Sequence, residues 1–289
     1  MRTAILKTLV YSDIFDYPLT APEVAKYLIS DTEVTVDTVQ KNLKIFADSK
    51  LIYTDGKFYF LKGREKIAEL RKKRAEWSKK KLEIAKRTAE KLKIIPMIKM
   101  IGITGALSME NCKEEDDIDL LIITGADCLW LTRLLIILLS PLLGIKRRKP
   151  ADISVKDKIC FNLFLEENHL KIEPENLFLA HEICQVKPIF GRDTTYEKFL
   201  NENRWVNKYL PNAASILKVK YQKSKPKLKA KNLFLYFFNL IAFYLQYLYM
   251  KPKMTIERVN LHQAFFHPKD LSNKIQKEFE SGLLFPQPL

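Results

Sequence analysis

Glycine is scarce in this chain, with 8 in 289 residues, which argues against a glycine-rich β-protein or a collagen-like repeat. Cysteine is scarcer still. The four, Cys112, Cys128, Cys160 and Cys184, form no C-x-x-C pair, so no zinc-ribbon spacing exists, and reduced thiols in a cytoplasmic protein are expected. The histidines His169, His181, His262 and His267 show neither H-x-H nor H-E-x-x-H spacing, so spacing gives no expectation of zinc. The opening run MRTAILKTLVYSDIFDY is broken by Lys7, Asp13 and Asp16 and does not read as a secretory signal. Acidic residues are in deficit: 49 Lys+Arg against 34 Asp+Glu leave a net charge of +15. Such a balance favours polyanionic partners, namely nucleic acid, nucleotide phosphates or an anionic membrane surface. Long apolar runs are few. Residues 128–145 and 233–250 sit at the lower length limit for crossing a bilayer. Both are expected to be core or partner-facing helices rather than inserted segments. Asn239 and Gln246, seven apart, share one helical face of the second run, and its apolar face suits a homodimer.

What is present is enough apolar content, 47%, for buried cores in about two domains or more. An α+β, multi-domain chain is expected. Residues 1–63 read as helix, helix, helix and hairpin. Ile5, Leu6, Leu9, Val10 and Ile14 have helical spacing, and Thr20 is placed to cap a second helix after Pro18. Val36, Val39, Leu43 and Phe46 form a third stripe, and Asp55-Gly56 marks a hairpin turn. This order resembles a winged helix-turn-helix. That resemblance implies a recognition helix presenting Gln40, Lys41 and Lys44 to nucleic acid, although the fold also serves protein contacts. Residues 64–95 read as a basic connector helix, with 13 Lys or Arg against 5 Glu between 64 and 93. Its thin stripe (Ile67, Leu70, Arg74, Trp77, Lys81, Ile84, Leu92) is expected to dock on the next domain. Residues 96–170 read as a compact α/β core. Residues 171–289 read as mostly helical, with a basic linker at 218–231.

The chemistry is concentrated between residues 103 and 120. Ile103-Thr104-Gly105-Ala106 is followed, ten residues on, by Asp117-Ile118-Asp119-Leu120. Glycine opens a tight strand-to-helix turn through which backbone N–H groups can approach phosphate. Side chains at i and i+2 of a strand share a face, so Asp117 and Asp119 project together as hard oxygen ligands suited to Mg²⁺. The segment resembles the nucleotidyltransferase superfamily of polymerase-beta-like enzymes.

That resemblance implies Mg²⁺- (or Mn²⁺-) dependent transfer of a nucleoside monophosphate from a triphosphate, ATP foremost, to an acceptor hydroxyl. It implies Asp117 and Asp119 as metal ligands and a nucleotide held around Gly105, Ala106, Ser108 and Lys113. The chain departs from the family at two positions. Ala106 stands where Ser or Gly is usual, with Ser108 as a substitute hydroxyl. The strand at 158–167 offers Asn162 where a third carboxylate is usual, with Asp157 as fallback. Lys113, Arg147, Arg148 and Lys149 either neutralise phosphate or simply solubilise the surface. Three functions therefore stay open. One is an active nucleotidyltransferase. Another is a DNA-binding regulator whose core is a weakly active or inactive nucleotide sensor. The third is a peripheral membrane protein that uses residues 233–250.

Overall fold

Glu23 accepts hydrogen bonds from both the backbone N–H and the hydroxyl of Thr20, at 2.8 and 2.7 Å, and this fixes where the second helix starts. The computed structural model describes residues 1–150, 152–217, 233–266 and 271–284. Its N-terminal unit runs α1 (Arg2–Asp13), β1 (Leu19–Thr20), α2 (Ala21–Lys26), α3 (Val36–Asp48), β2 (Tyr53–Thr54) and β3 (Phe58–Phe60). The three strands pair antiparallel in the order β1-β3-β2. Asp55 Oδ1 accepts from the N–H groups of Lys57 and Phe58, and Gly56 has φ +92°, so the hairpin turns at the Asp-Gly pair. Ile5, Leu9, Val24, Val39 and Leu43 fill the core between these helices. Val36, expected on that stripe, is exposed, because it occupies the first turn of α3 beyond the edge of the core.

The helix α4 (Lys66–Leu92) buries a face of unusual chemistry. Arg74, Ser78, Lys81 and Thr88 lie on it beside Ala85, Ala89 and Leu92. Arg74 Nη1 donates to the Phe15 carbonyl and to Asn111 Oδ1, at 2.9 and 3.0 Å, while Arg71 grips Glu23 through both carboxylate oxygens. The connector therefore docks by buried polar bonds, and it ties the N-terminal unit to the loop that carries Asn111.

The remaining elements are β4 (Ile98–Ile103), α5 (Gly105–Ser108), β5 (Ile118–Thr124), α6 (Leu129–Leu142), β6 (Ile159–Glu166), α7 (Leu177–Gln185), β7 (Lys187–Gly191), α8 (Thr195–Glu202), α9 (Pro211–Ile216), α10 (Leu233–Met250), β8 (Arg258–Val259), β9 (Gln263–Phe265) and α11 (Leu271–Leu284). They build a six-stranded mixed sheet, β7-β4-β5-β6-β9-β8, in which β5 and β6 are parallel and every other pair is antiparallel. Strand β5 is buried on both faces. Leu121 and Ile123 enter the cluster beneath α7, whereas Leu120 and Ile122 enter the cluster shared with α4 and α6. The sheet does not end at residue 170. Strands β7, β8 and β9 come from the region expected to be helical and cover both edges of the sheet. They are two to five residues long, and β7 contains Pro188, so their local patterns are weak.

The second apolar run is not a core helix. In α10 only Asn239, Ala242 and Gln246 are buried, while Phe234, Phe237 and Leu245 are well exposed. Residues 233–253 are long and apolar enough to cross a membrane, and few of them are buried. The basic segment 218–231 lies outside the described residues, as does the His267-Pro268 pair.

Candidate functional site

Strand β4 ends at Ile103, and Gly105 turns the chain into α5 with φ +60°. A Cβ at Gly105 would stand 3.0 Å from Asp119 Oδ2, so the turn and the β5 carboxylate touch. Asp119 opposes Cys160 in the parallel register of β5 and β6. One residue later the register shifts: Leu120 pairs with Phe161 but Leu121 with Leu163. Asn162 is the extra residue of this bulge, and its Nδ2 donates to Asp119 Oδ1 at 2.8 Å. Asn162 thus orients Asp119 through its amide, and the third carboxylate that the resemblance implies is not supplied there.

Asp117, Asp119 and Cys160 offer ligand atoms within 4.8 Å of one another. Asp117 is also paired with Arg148 Nη1 at 2.8 Å, which places one of the four candidate cations against the site. Burial, with Asp117 beside it, pushes the Asp119 carboxyl up to about 7. Burial and the two aspartates drive the Cys160 thiol far above its usual range, so it stays protonated. Two carboxylates and a neutral thiol fit a hard cation held by oxygen, Mg²⁺ or Mn²⁺, better than a thiolate-seeking metal.

Glu182, on α7, is the site residue that spacing did not reveal. Burial raises its carboxyl to about 7, against the pull of a hydrogen bond from the Gly105 N–H. It also raises Asp119 electrostatically. Glu182 thus adds a second carboxyl to the cavity wall that Gly105 and Asp119 line.

Ser108 does not reach the site either. Its hydroxyl donates to the Gly105 carbonyl at 2.7 Å, and the residue is buried within its own short turn. Lys113 is exposed on the 111–117 loop, away from the cavity, and its backbone N–H donates to Asp116. Asp157, the fallback acid, is held by Lys80 and Lys81 at 3.0 and 2.8 Å. Lys81 is almost fully buried and also donates to the Glu114 and Asp116 carbonyls, so it fixes the loop that carries Asp117. Ala106 is exposed and lines the cavity.

The cavity has a volume of about 670 Å³, within the range of small-ligand sites. Thr104, Gly105, Asp119, Asn162 and Glu182 form one wall. Tyr11, Phe15 and Tyr27 of the N-terminal unit form another. His181 stacks on Tyr11 with ring centroids 4.0 Å apart. Neither His181 ring nitrogen nor Thr104 Oγ1 has a hydrogen-bond partner among the described residues, although all three are buried and both residues line the cavity. Such orphaned groups suit a polar ligand.

Two further groupings lie elsewhere. Gln40, Lys41 and Lys44 are all exposed along α3, remote from the cavity lining. Glu166, His169 and His262 bring ligand atoms within 4.8 Å, with the imidazoles stacked 4.0 Å apart and His262 Nδ1 at 2.7 Å from Glu166. The β6–β9 pairing makes this cluster, which is why no local spacing announced it. Comparison with protein-family models, curated proteins and solved structures returns no match to this chain.

Proposed function

We propose that this chain is a nucleotidyltransferase-fold protein that binds a nucleoside triphosphate with a divalent cation and transfers a nucleoside monophosphate to an acceptor hydroxyl. The observation that carries the reading is the contact of Asp119 with the left-handed Gly105 turn, with the Asp117 carboxylate beside it. Asp117 and Asp119 would hold Mg²⁺ or Mn²⁺, which supplies charge neutralisation on phosphate oxygens. Asn162 fixes the rotamer of Asp119. Arg148, already against Asp117, supplies a guanidinium for phosphate. The aromatic wall of the cavity suits a nucleobase, ATP being the first candidate. Titration calorimetry with Mn²⁺-ATP, wild type against Asp119→Ala, tests the reading. Binding by the wild type and its loss in the variant are expected. No binding by the wild type, or equal binding by both, rejects it.

A second reading rests on the N-terminal unit. The order α1-β1-α2-α3-β2-β3, with α3 presenting Gln40, Lys41 and Lys44 outward, agrees with a winged helix that binds DNA and responds to a nucleotide in the core. The cavity is walled by both units, which gives a ligand a physical route to that response. Duplex DNA binding that weakens steeply with salt and disappears in Lys41→Ala/Lys44→Ala would support it. Absence of such binding would leave only the transferase reading.

A further inference from the structure

Helix α10 is built inside out. Its polar side chains face the protein. Asn239 Oδ1 accepts from the Trp130 and Leu131 N–H groups at 2.7 and 3.1 Å, satisfying orphan donors at the start of α6. Gln246 Nε2 donates to the Trp130 carbonyl at 2.9 Å, and its Oε1 accepts from Arg133. Its apolar side chains face outward at helical spacing: Phe234, Phe237, Ile241, Leu245 and Leu248 are 69, 57, 40, 62 and 66% exposed. An apolar stripe this continuous is rarely left to water and marks an interaction surface.

The charges carried by the helix and the turn that follows it are basic. No acidic residue occurs between 233 and 256. Lys251 and Lys253 follow the helix, the Lys253 ammonium lies 3.9 Å over the Tyr249 ring, and Arg147 acts on the same tyrosine. A second copy would bring like charge against like, whereas anionic headgroups neutralise it.

We propose that the outer face of α10 seats this protein on an anionic lipid bilayer, with the helix lying in the interface plane. Asn239 and Gln246 hold α10 to α6, and α6 connects the adjacent parallel strands β5 and β6, so the pair cannot leave the sheet to span the membrane. Exposed tyrosines 244 and 249 suit the headgroup level.

Flotation of the full chain with vesicles of phosphatidylcholine, alone or mixed with phosphatidylglycerol, tests this. The wild type is expected to float with the mixed vesicles and to bind pure phosphatidylcholine at least roughly tenfold more weakly. Phe237→Glu/Leu245→Glu, with an unchanged melting curve, is expected to lose binding. Lys251→Gln/Lys253→Gln, which leaves the apolar stripe intact, is expected to weaken it by about thirtyfold, or roughly fivefold per lysine. The proposal is overturned if the wild type ignores mixed vesicles or if the glutamate variant floats as well as the wild type. It is equally overturned by sedimentation showing a dimer that the glutamate variant converts to monomer.

Discussion

Gly105 stands so close to Asp119 that a single added carbon would lie 3.0 Å from its Oδ2. At φ +60° an L side chain is strained as well. Gly105→Ala is therefore expected to cost about 1–2 kcal/mol of stability through backbone strain. It should also displace the Asp119 carboxylate that Asn162 now holds. Urea midpoints should fall modestly, while Mn²⁺ affinity falls by roughly tenfold or more, as expected for a disturbed ligand shell. A variant that binds Mn²⁺ like the wild type would separate the turn from the metal.

Glu182 places a second carboxyl on the cavity wall beside Asp119, against the charge that a phosphate would bring. Glu182→Gln removes the charge and keeps the shape. Mg²⁺-nucleotide affinity is expected to rise by about tenfold, the effect of relieving roughly 1–2 kcal/mol of like-charge repulsion. Calorimetry at pH 8, where the wild-type carboxyl is ionised, gives the largest difference. Unchanged or weaker nucleotide binding would show that Glu182 does not oppose the phosphate.

Lys81 is a buried cation with three acceptors, two of them carbonyls of the loop before Asp117. Lys81→Met fills the space but leaves those acceptors unsatisfied. A loss of about 2–4 kcal/mol is expected, together with weaker Mn²⁺ binding as the loop loosens. Asp157→Asn, which keeps the lysine and its carbonyl bonds, should cost less in both measurements.

Burial alone lowers the His181 imidazole to about 3. Between that value and the ordinary 6.5 the unfolded chain takes up a proton that the folded chain refuses. Stability is complete above pH 6.5 and falls as pH drops. At pH 4.5 the loss from this group is about 2–3 kcal/mol. His181→Phe keeps the stack on Tyr11 and removes the titration. Melting curves at pH 7 and pH 4.5 should show a smaller acid-induced drop in the variant. An identical drop would place the acid lability elsewhere.

Much of the local structure is legible without coordinates. Thr20 and Asp55-Gly56 set boundaries because capping and turn bonds involve neighbours only a few residues apart. The proximity of Asp117 to Asp119, and of Asp119 to Gly105, follows from a two-residue spacing at the start of β5 and a short gap. Asn239 and Gln246 share a face as helical spacing demands. The sign of charge around α10 is likewise a property of sequence.

Other features needed the assembled chain. Glu182 meets Gly105 across 77 positions of sequence, and no spacing rule spans such a distance. Asn162 reaches Asp119 through a bulge that only strand pairing defines. Ser108 is spent on its own turn, and Asp157 on a lysine from another helix. The short edge strands β7, β8 and β9 owe their state to the partners they pair with, because two to five residues carry too little periodicity of their own. Which side of α10 faces the protein was decided by α6, whose unpaired N–H groups drew the amides inward and left the rings outside. Sequence sets what a residue can bond to over a few neighbours, and folding decides which distant groups arrive to compete for it.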